Sequence, residues 1–183
     1  MNGNKKLIYW DSCIFISWLK NEQRPDPKDM AGVFDIIERL NRREVTLITS
    51  TISQTEIAAC NVGQLVMPLL DELMKKKSIQ RVSVDIKIAH MARTLRDFYQ
   101  NEPYTLDRDG KKVGAKTLTV PDAIHLATAI LHKVDVFQTF DEHDSKGNLG
   151  LIPLSGNVAR HNLRIEKPSI EQFSFPFMQK ITH

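Results

Sequence analysis

The apolar residues of the chain follow two periods, one typical of buried strands and one typical of amphipathic helices. Short runs rich in β-branched and aromatic residues predict strands, at residues 6–10, 45–49, 79–84, 134–140 and 162–165. Between them the apolar residues recur three or four positions apart, which predicts helices, behind Asp11 and at residues 30–41, 54–62, 65–77, 86–99 and 121–131. Because alternating strands and helices build a parallel sheet with helices on both faces, we expect an α/β protein. The expected architecture is a three-layer α/β/α sandwich with a central, mostly parallel sheet.

Carboxylates stand close to the points where the predicted elements meet. Asp11 follows the first strand and Asp141 follows the fourth, whereas Glu56 lies in the helix after the second strand. Asp122 lies in the first turn of the helix that begins near Pro121, where the helix dipole favours an anion. Functional groups of open α/β sheets gather outside the carboxyl ends of the strands. We therefore expect these acids to face one crevice.

Each of these residues also has a purely local interpretation. Asp11 precedes a predicted helix and is a good N-cap, a role that does not exclude binding a ligand. Glu56 comes three residues after Ser53, which is the spacing of a capping box. His125 follows Asp122 by three residues, and we interpret it as a surface residue or a neighbour of the site.

A group of carboxylates in one pocket predicts a bound cation. Like charges raise one another's pKa, so several bare anions do not share a pocket without compensation. Mg²⁺ prefers oxygen ligands and is usually held by one or two carboxylates together with substrate phosphates. The sequence has no His pair or Cys cluster at zinc spacing. A hard divalent cation, Mg²⁺ or Mn²⁺, is therefore the expected cofactor.

Composition and charge narrow the class of protein. The 183 residues, of which 42% are hydrophobic, suggest one domain with a real core, which we place at residues 1–168, followed by a tail at 169–183. No apolar run is long enough for a membrane helix, and the N-terminus lacks a signal-peptide pattern. The two cysteines, Cys13 and Cys60, favour a reducing, cytoplasmic location. A net charge of +3 permits nucleic-acid binding without arguing for it.

Two segments fall outside the regular pattern. Residues 101–116 are rich in turn formers and lysines, and Asp109-Gly110 suggests a small hairpin turn. This loop is either a guide for a polyanion beside the acidic site or an ordinary exposed insertion. Its candidate substrate-binding residues are Lys111, Lys112 and Lys116.

The tail carries phenylalanines at alternating positions, Phe173, Phe175 and Phe177. Exposed together, they would form an unusual apolar patch for a soluble monomer. We therefore expect the tail to be covered by its own domain, by a second copy of the chain or by a protein partner.

The acids and their surrounding residues resemble those of the PIN-domain family of metal-dependent nucleases, and in particular the VapC-like toxins of toxin–antitoxin pairs. The matching features are Asp11-Ser12 after an apolar strand, Glu56 in SQTEIA, Asp122 in VPDAIHLATA and Asp141 in TFD, within residues 7–168. The resemblance implies that Asp11, Glu56, Asp122 and Asp141 are catalytic and bind Mg²⁺ or Mn²⁺. It also implies that Ser12 and Thr139 support them.

The function implied by the resemblance is an endoribonuclease that cleaves single-stranded or looped RNA and leaves 5′-phosphate and 3′-hydroxyl ends. A toxin of this type implies an antitoxin partner and a homodimer. The alternatives are a housekeeping RNA-processing nuclease and a catalytically idle PIN fold that binds RNA or protein. A phosphohydrolase of the haloacid dehalogenase type ranks last, because it requires D-x-D where Asp11 is followed by Ser12 and Cys13.

Overall fold

The computed structural model describes residues 5–101, 105–106, 112–113, 116–145 and 147–170. Five strands form a central sheet in the order β3-β2-β1-β6-β7, and every neighbouring pair is parallel. These strands are β1 (Lys6–Trp10), β2 (Val45–Ser50), β3 (Ile79–Val82), β6 (Val136–Gln138) and β7 (Ile165–Glu166). The predicted α/β class and parallel sheet are confirmed.

Helices cover both faces of the sheet. They are α1 (Ser12–Lys20), α2 (Pro27–Asn41), α3 (Ile52–Ala59), α4 (Met67–Met74), α5 (Ile86–Gln100) and α6 (Val120–Leu131). Residues of α1 to α4 share one apolar core, and residues of α5 and α6 share a second core with the segment before β7. In β1, Ile8 and Trp10 belong to the first core and Tyr9 to the second, because successive strand residues point to opposite faces. The predicted three layers are therefore present.

Several elements differ from the predicted boundaries. Helix α2 begins at Pro27 rather than at residue 30, because the Asp26 carboxylate accepts a hydrogen bond from the Lys28 amide and proline suits the first turn. Strand β6 is shorter than residues 134–140. The Val134 amide donates to the carbonyl of Ala129, so residue 134 still belongs to the turn that closes α6. The single helix predicted at residues 65–77 is instead a 3₁₀ turn, Gln64–Val66, followed by α4.

The lysine-rich loop at residues 101–116 contains two short strands, β4 (Thr105–Leu106) and β5 (Lys112–Val113), which pair antiparallel. This pairing agrees with the predicted hairpin, although Asp109-Gly110 and Lys111 lie outside the described residues. The Lys112 side chain also lies outside them.

The end of the described chain lies tightly against α2. A Cβ atom placed on Gly32 would come within 2.4 Å of the Pro168 carbonyl group, so only glycine allows this approach. Residues 171–183, including Phe173, Phe175 and Phe177, lie outside the described residues, so the covering of the tail stays a prediction. None of the described helices combines the length and the apolarity that crossing a membrane requires.

Candidate active site

Asp11 is buried where β1 ends, and both of its carboxylate oxygens accept hydrogen bonds. Oδ1 accepts from the Cys13 amide at 3.0 Å, which makes Asp11 the N-cap of α1. Oδ2 accepts from the Thr139 hydroxyl at 2.6 Å. Only 5% of the residue is exposed. Asp11 is therefore an N-cap, as one interpretation predicted, and its carboxylate also contacts the segment that carries Asp141.

The Thr139 hydroxyl connects two of the predicted site residues. It donates to Asp11 and accepts from the Asp141 amide at 3.0 Å. Strand β6 places it there, because β6 pairs directly with β1. The sulfur of Cys13 lies 3.4 Å from this hydroxyl and accepts from the Phe140 amide at 3.1 Å. The role of Cys13 in holding this turn was missed, because no local pattern joins residues so far apart in sequence.

Asp122 is held by the residue that begins its helix. Thr119 is the N-cap of α6; its hydroxyl accepts from the Asp122 amide at 3.2 Å and makes a short hydrogen bond to the Asp122 carboxylate. Asp122 is half-buried. The spacing Thr119-x-x-Asp122 is a capping-box pattern that the sequence displays, and it would have identified Thr119 as a partner.

Glu56 is bound by a histidine and does not form a capping box. Its helix begins at Ile52, and the hydroxyl of Ser53 lies inside that helix, 2.8 Å from the hydroxyl of Thr49. The capping-box interpretation is therefore wrong. Oε2 of Glu56 lies 2.7 Å from Nε2 of His125. His125 is only 1% exposed, so the surface interpretation of this residue is also wrong.

A tyrosine stands behind the histidine. The Tyr9 hydroxyl lies 2.7 Å from Nδ1 of His125 and accepts from the Ser50 amide at 3.1 Å. Tyr9 and His125 are separated by 116 residues in sequence. No local sequence pattern joins residues so far apart, so Tyr9 is not among the predicted site residues.

Burial and the charges of neighbouring acids raise the pKa of the three aspartates. Burial raises the pKa of Asp141 to about 6, and the charges of Asp122 and Asp11 add to this effect. Burial also raises the pKa of Asp11, with a contribution from Asp122, against the lowering influence of His125 and of the Cys13 and Thr139 hydrogen bonds. The pKa of Asp122 is raised by burial and by the charge of Glu56, against Thr119 and His125. The four predicted acids thus form one electrostatic group, which we call the acidic cluster.

Other predicted residues do not join the acidic cluster. Ser12 begins α1 half-buried, and in the described part of the chain its hydroxyl makes no hydrogen bond to the acids. Lys116 forms an ion pair with Asp144. Lys111 lies outside the described residues, so a substrate-binding role for it stays a prediction.

The acidic cluster offers oxygen donors only. Among the described residues, no three His, Cys, Asp or Glu side chains stand as a ready-made metal-binding group. Mg²⁺ does not require one, because it retains several waters and is commonly held by one or two carboxylates and by substrate phosphates. The raised pKa values of the three aspartates fit a cation, because burial and the neighbouring negative charges both disfavour their ionised forms and a positive charge would offset both effects.

A family model described as the PIN domain matches residues 8–146, which include every member of the acidic cluster. The chain belongs to the PIN domain family. Members of this family are nucleases and generally use divalent metal ions. The match ends before β7, so the last strand of the sheet lies outside the family model.

The chain is similar to solved structures at low sequence identity. The crystal structure of VapBC2 from Rickettsia felis bound to a DNA fragment from their promoter has a TM-score of 0.56 at 11% identity, covering 87% of this chain and 98% of that one. A toxin–antitoxin complex from Klebsiella pneumoniae has a TM-score of 0.46 at 18% identity, covering 76% and 88%. No curated protein sequence matches the chain. The first likeness shows the fold.

Proposed function

We propose that the protein is a metal-dependent endoribonuclease that hydrolyses single-stranded or looped RNA, and that it is the toxin of a toxin–antitoxin pair. One observation carries the nuclease part: the Thr139 hydroxyl donates to the Asp11 carboxylate and accepts from the Asp141 amide, so these two acids meet at the carboxyl edge of the sheet. Burial raises the pKa of Asp141 there, and the charges of Asp122 and Asp11 add to this effect. Such carboxylates suit a site in which a bound divalent cation supplies the positive charge.

The four acids divide into two roles in this proposal. Asp11, Asp122 and Asp141 would hold Mg²⁺ or Mn²⁺, and Glu56 would bind the metal through water or orient the attacking water. The bound cation would offset the negative charge that develops on the phosphate. Thr139 fixes the spacing of two of these acids, because it donates to Asp11 and accepts from the Asp141 amide.

The products follow from the bond that breaks. Glu56 would take a proton from the attacking water. The oxygen of that water would bond to phosphorus as the P–O3′ bond breaks. The leaving oxygen takes up a proton, which gives a 3′-hydroxyl on one fragment and a 5′-phosphate on the other. These are the ends that the family resemblance implies.

The toxin assignment rests on the VapC-like motifs, DAIHLATA above all. The fold likeness to VapBC2 from Rickettsia felis is compatible with it. An antitoxin would then be the partner. The competing candidate is a housekeeping RNA-processing nuclease, which the loop at residues 101–116 and the aromatic tail leave open, since both depart from a compact toxin.

The proposal is tested with purified full-length protein and end-labelled RNA. Single-stranded and hairpin RNAs should be cleaved in Mg²⁺ or Mn²⁺ and not in EDTA, with 5′-phosphate on the new ends. Asp11→Asn should abolish cleavage, and Asp144→Asn is the control that should retain it. Equal cleavage by wild type and Asp11→Asn would contradict the proposal.

The toxin arm requires growth measurements. Expression of the wild-type protein should arrest growth, and coexpression of the neighbouring reading frame should relieve the arrest. Cleavage in vitro without growth arrest would favour the housekeeping nuclease.

A further inference from the structure

A continuous hydrogen-bond chain leads from the sheet to the acidic cluster. The Ser50 amide of β2 donates to the Tyr9 hydroxyl at 3.1 Å. The same hydroxyl lies 2.7 Å from Nδ1 of His125, and Nε2 of that ring lies 2.7 Å from Oε2 of Glu56. Tyr9 and His125 are almost completely buried, so the chain is shielded from water until it reaches the Glu56 carboxylate.

The direction of the hydrogen bonds follows from the donors and acceptors. The Tyr9 oxygen accepts from the Ser50 amide, and the Tyr9 hydroxyl contacts Nδ1 of His125 while it keeps its own proton. Burial raises the pKa of Tyr9 well above its usual value, so this proton stays in place. A carboxylate oxygen has no proton to give, so the proton of the 2.7 Å contact between Nε2 of His125 and Oε2 of Glu56 is carried by Nε2. His125 therefore donates to Glu56, and each of these buried polar groups has a partner.

Aromatic packing fixes the ring that makes this donation. Tyr9 stacks on Phe137 of β6 with ring centroids 5.0 Å apart and meets the His125 ring edge-on at 5.8 Å. His125 also sits on α6, one turn after Asp122. The donor is thus tied both to the sheet and to the helix that carries Asp122.

The Glu56 side chain is not fixed by packing in the way that the His125 ring is. It has three side-chain torsions and a side chain that is 25% exposed, so it would sample several rotamers without a fixed partner. The bond to His125 uses Oε2. No described residue makes a hydrogen bond to the second oxygen, Oε1, which leaves it for a water molecule or a metal ion.

We propose that His125 is a positioning residue that holds Glu56 in the orientation in which the carboxylate serves a divalent metal ion or its water. This inference rests on the proposed function, because it takes Glu56 to be part of the metal site. Partners that orient a metal-binding side chain in this way typically change metal affinity by about 10–100-fold when they are removed.

The test measures Mn²⁺ affinity of the full-length protein without RNA, by electron paramagnetic resonance of the free ion. His125→Phe keeps a ring of similar size and removes both nitrogens, and it should weaken Mn²⁺ binding by about 10-fold or more. His125→Gln can place an amide donor near the position of Nε2, and it should recover most of the affinity. The matched control is His90→Phe at an exposed position of α5, which should bind Mn²⁺ like wild type.

A double-mutant cycle separates positioning from packing. If His125 acts through Glu56, adding His125→Phe to Glu56→Gln should cause no further loss of Mn²⁺ affinity. Tyr9→Phe provides a second variant that keeps the ring of the residue behind His125 and removes only its hydroxyl. It should weaken binding less than His125→Phe, since the Nε2 donor remains.

The outcomes distinguish this inference from the proposed function. Wild-type Mn²⁺ affinity in both His125 variants, or equal losses in the two, would overturn positioning while leaving the nuclease assignment intact. Loss of affinity in His125→Phe with recovery in His125→Gln would support positioning even if no RNA were cleaved, and in that case only the proposed function would fail. Absence of any Mn²⁺ binding by wild type would overturn both.

Discussion

Two sets of carboxylates, which meet in the sequence at residues 141–144, lie in opposite electrostatic surroundings. Asp141 belongs to the acidic cluster, where burial and the charges of Asp122 and Asp11 raise its pKa to about 6. Glu142 and Asp144 follow within three residues and form what we call the paired loop. The pKa of Glu142 is lowered by its hydrogen bond to Lys167, and that of Asp144 by its hydrogen bond to Lys116.

The difference indicates where the protein lacks a positive charge of its own. In the paired loop each acid has a lysine, as surface carboxylates often do. In the acidic cluster, burial and the charges of other acids raise the pKa of all three aspartates. Such an arrangement costs stability unless a ligand supplies the charge. The acidic cluster therefore has the properties of a functional site, and the paired loop has those of ordinary surface structure.

The difference between the two sets is tested most directly by the cleavage rates of glutamate variants from both. Glu56→Gln should lower the cleavage rate by orders of magnitude with little loss of stability, because an amide cannot accept the proton of the attacking water. Glu142→Gln removes an acid of the same size from the paired loop and should cleave RNA like wild type. Single-turnover cleavage of a labelled RNA measures both. A wild-type rate for Glu56→Gln would remove Glu56 from the site.

Thermal unfolding with and without metal gives the next largest effect. A ligand that binds only the folded state stabilises it by about 2.7 kcal/mol at a concentration of 100 times Kd. Mg²⁺ or Mn²⁺ should therefore raise the Tm of wild type and of Asp144→Asn alike. Asp122→Asn should lose most of this increase. A metal response that Asp122→Asn retains and Asp144→Asn loses would reverse the assignment of the two sets.

The location of the three aspartates of the acidic cluster could be predicted, because each of them carries a local signal. Asp11 and Asp141 follow strands, and Asp122 stands in the first turn of a helix. Parallel pairing of β1 with β6 then brings two of these positions to one edge. Only the elements and the direction of the strands were needed for this inference.

The contacts of the acids with distant residues could not be predicted in the same way. Thr139 was expected as a supporting residue only through the family resemblance, and His125 was not expected to bind Glu56. Glu56 and His125 are 69 residues apart, and Thr139 and Asp11 are 128 residues apart. Such contacts depend on side-chain directions in the packed layers, which neither periodicity nor capping rules specify. Glu56 illustrates this limit, because its local spacing favoured a bond to its own helix and packing supplied His125 instead.

Stability without metal should respond in opposite directions in the two sets. The folded-state pKa of Asp141 is raised, so its ionised form destabilises the fold, and this cost appears as the pH rises from about 4 to about 6. Asp141→Asn should therefore increase the free energy of unfolding at pH 7, by about 1 kcal/mol after allowance for partial exposure.

Asp144 provides the matched control for this measurement. Its folded-state pKa is lowered, so its contribution is present above the unfolded value near 4 and is lost as the pH falls. Asp144→Asn should lower the free energy of unfolding by about 0.5 kcal/mol, the size typical of a surface ion pair. Urea unfolding in EDTA at pH 5 and pH 7 measures both variants. A shift of the same sign in both would contradict the comparison.

The smallest expected effect concerns the lysines that approach the site. Lys116 is bound to Asp144 in the paired loop, so it has little free charge for an RNA phosphate. Lys116→Gln should therefore leave the salt dependence of RNA binding almost unchanged. Each phosphate contact with single-stranded nucleic acid contributes about 0.7 to the slope of log affinity against log salt concentration.

Joint replacement of Lys111 and Lys112 by Gln tests whether these two lysines, unlike Lys116, contact RNA phosphates. If both lysines contact phosphates, the slope should fall by about 1.4, while the cleavage rate at saturating RNA stays close to wild type. Fluorescence anisotropy of a labelled RNA with catalytically inactive Asp11→Asn protein, at several salt concentrations, measures the slope without cleavage. An unchanged slope in the double variant would show that the loop is a solvated insertion. A large change in Lys116→Gln alone would show that this lysine leaves Asp144 when RNA binds.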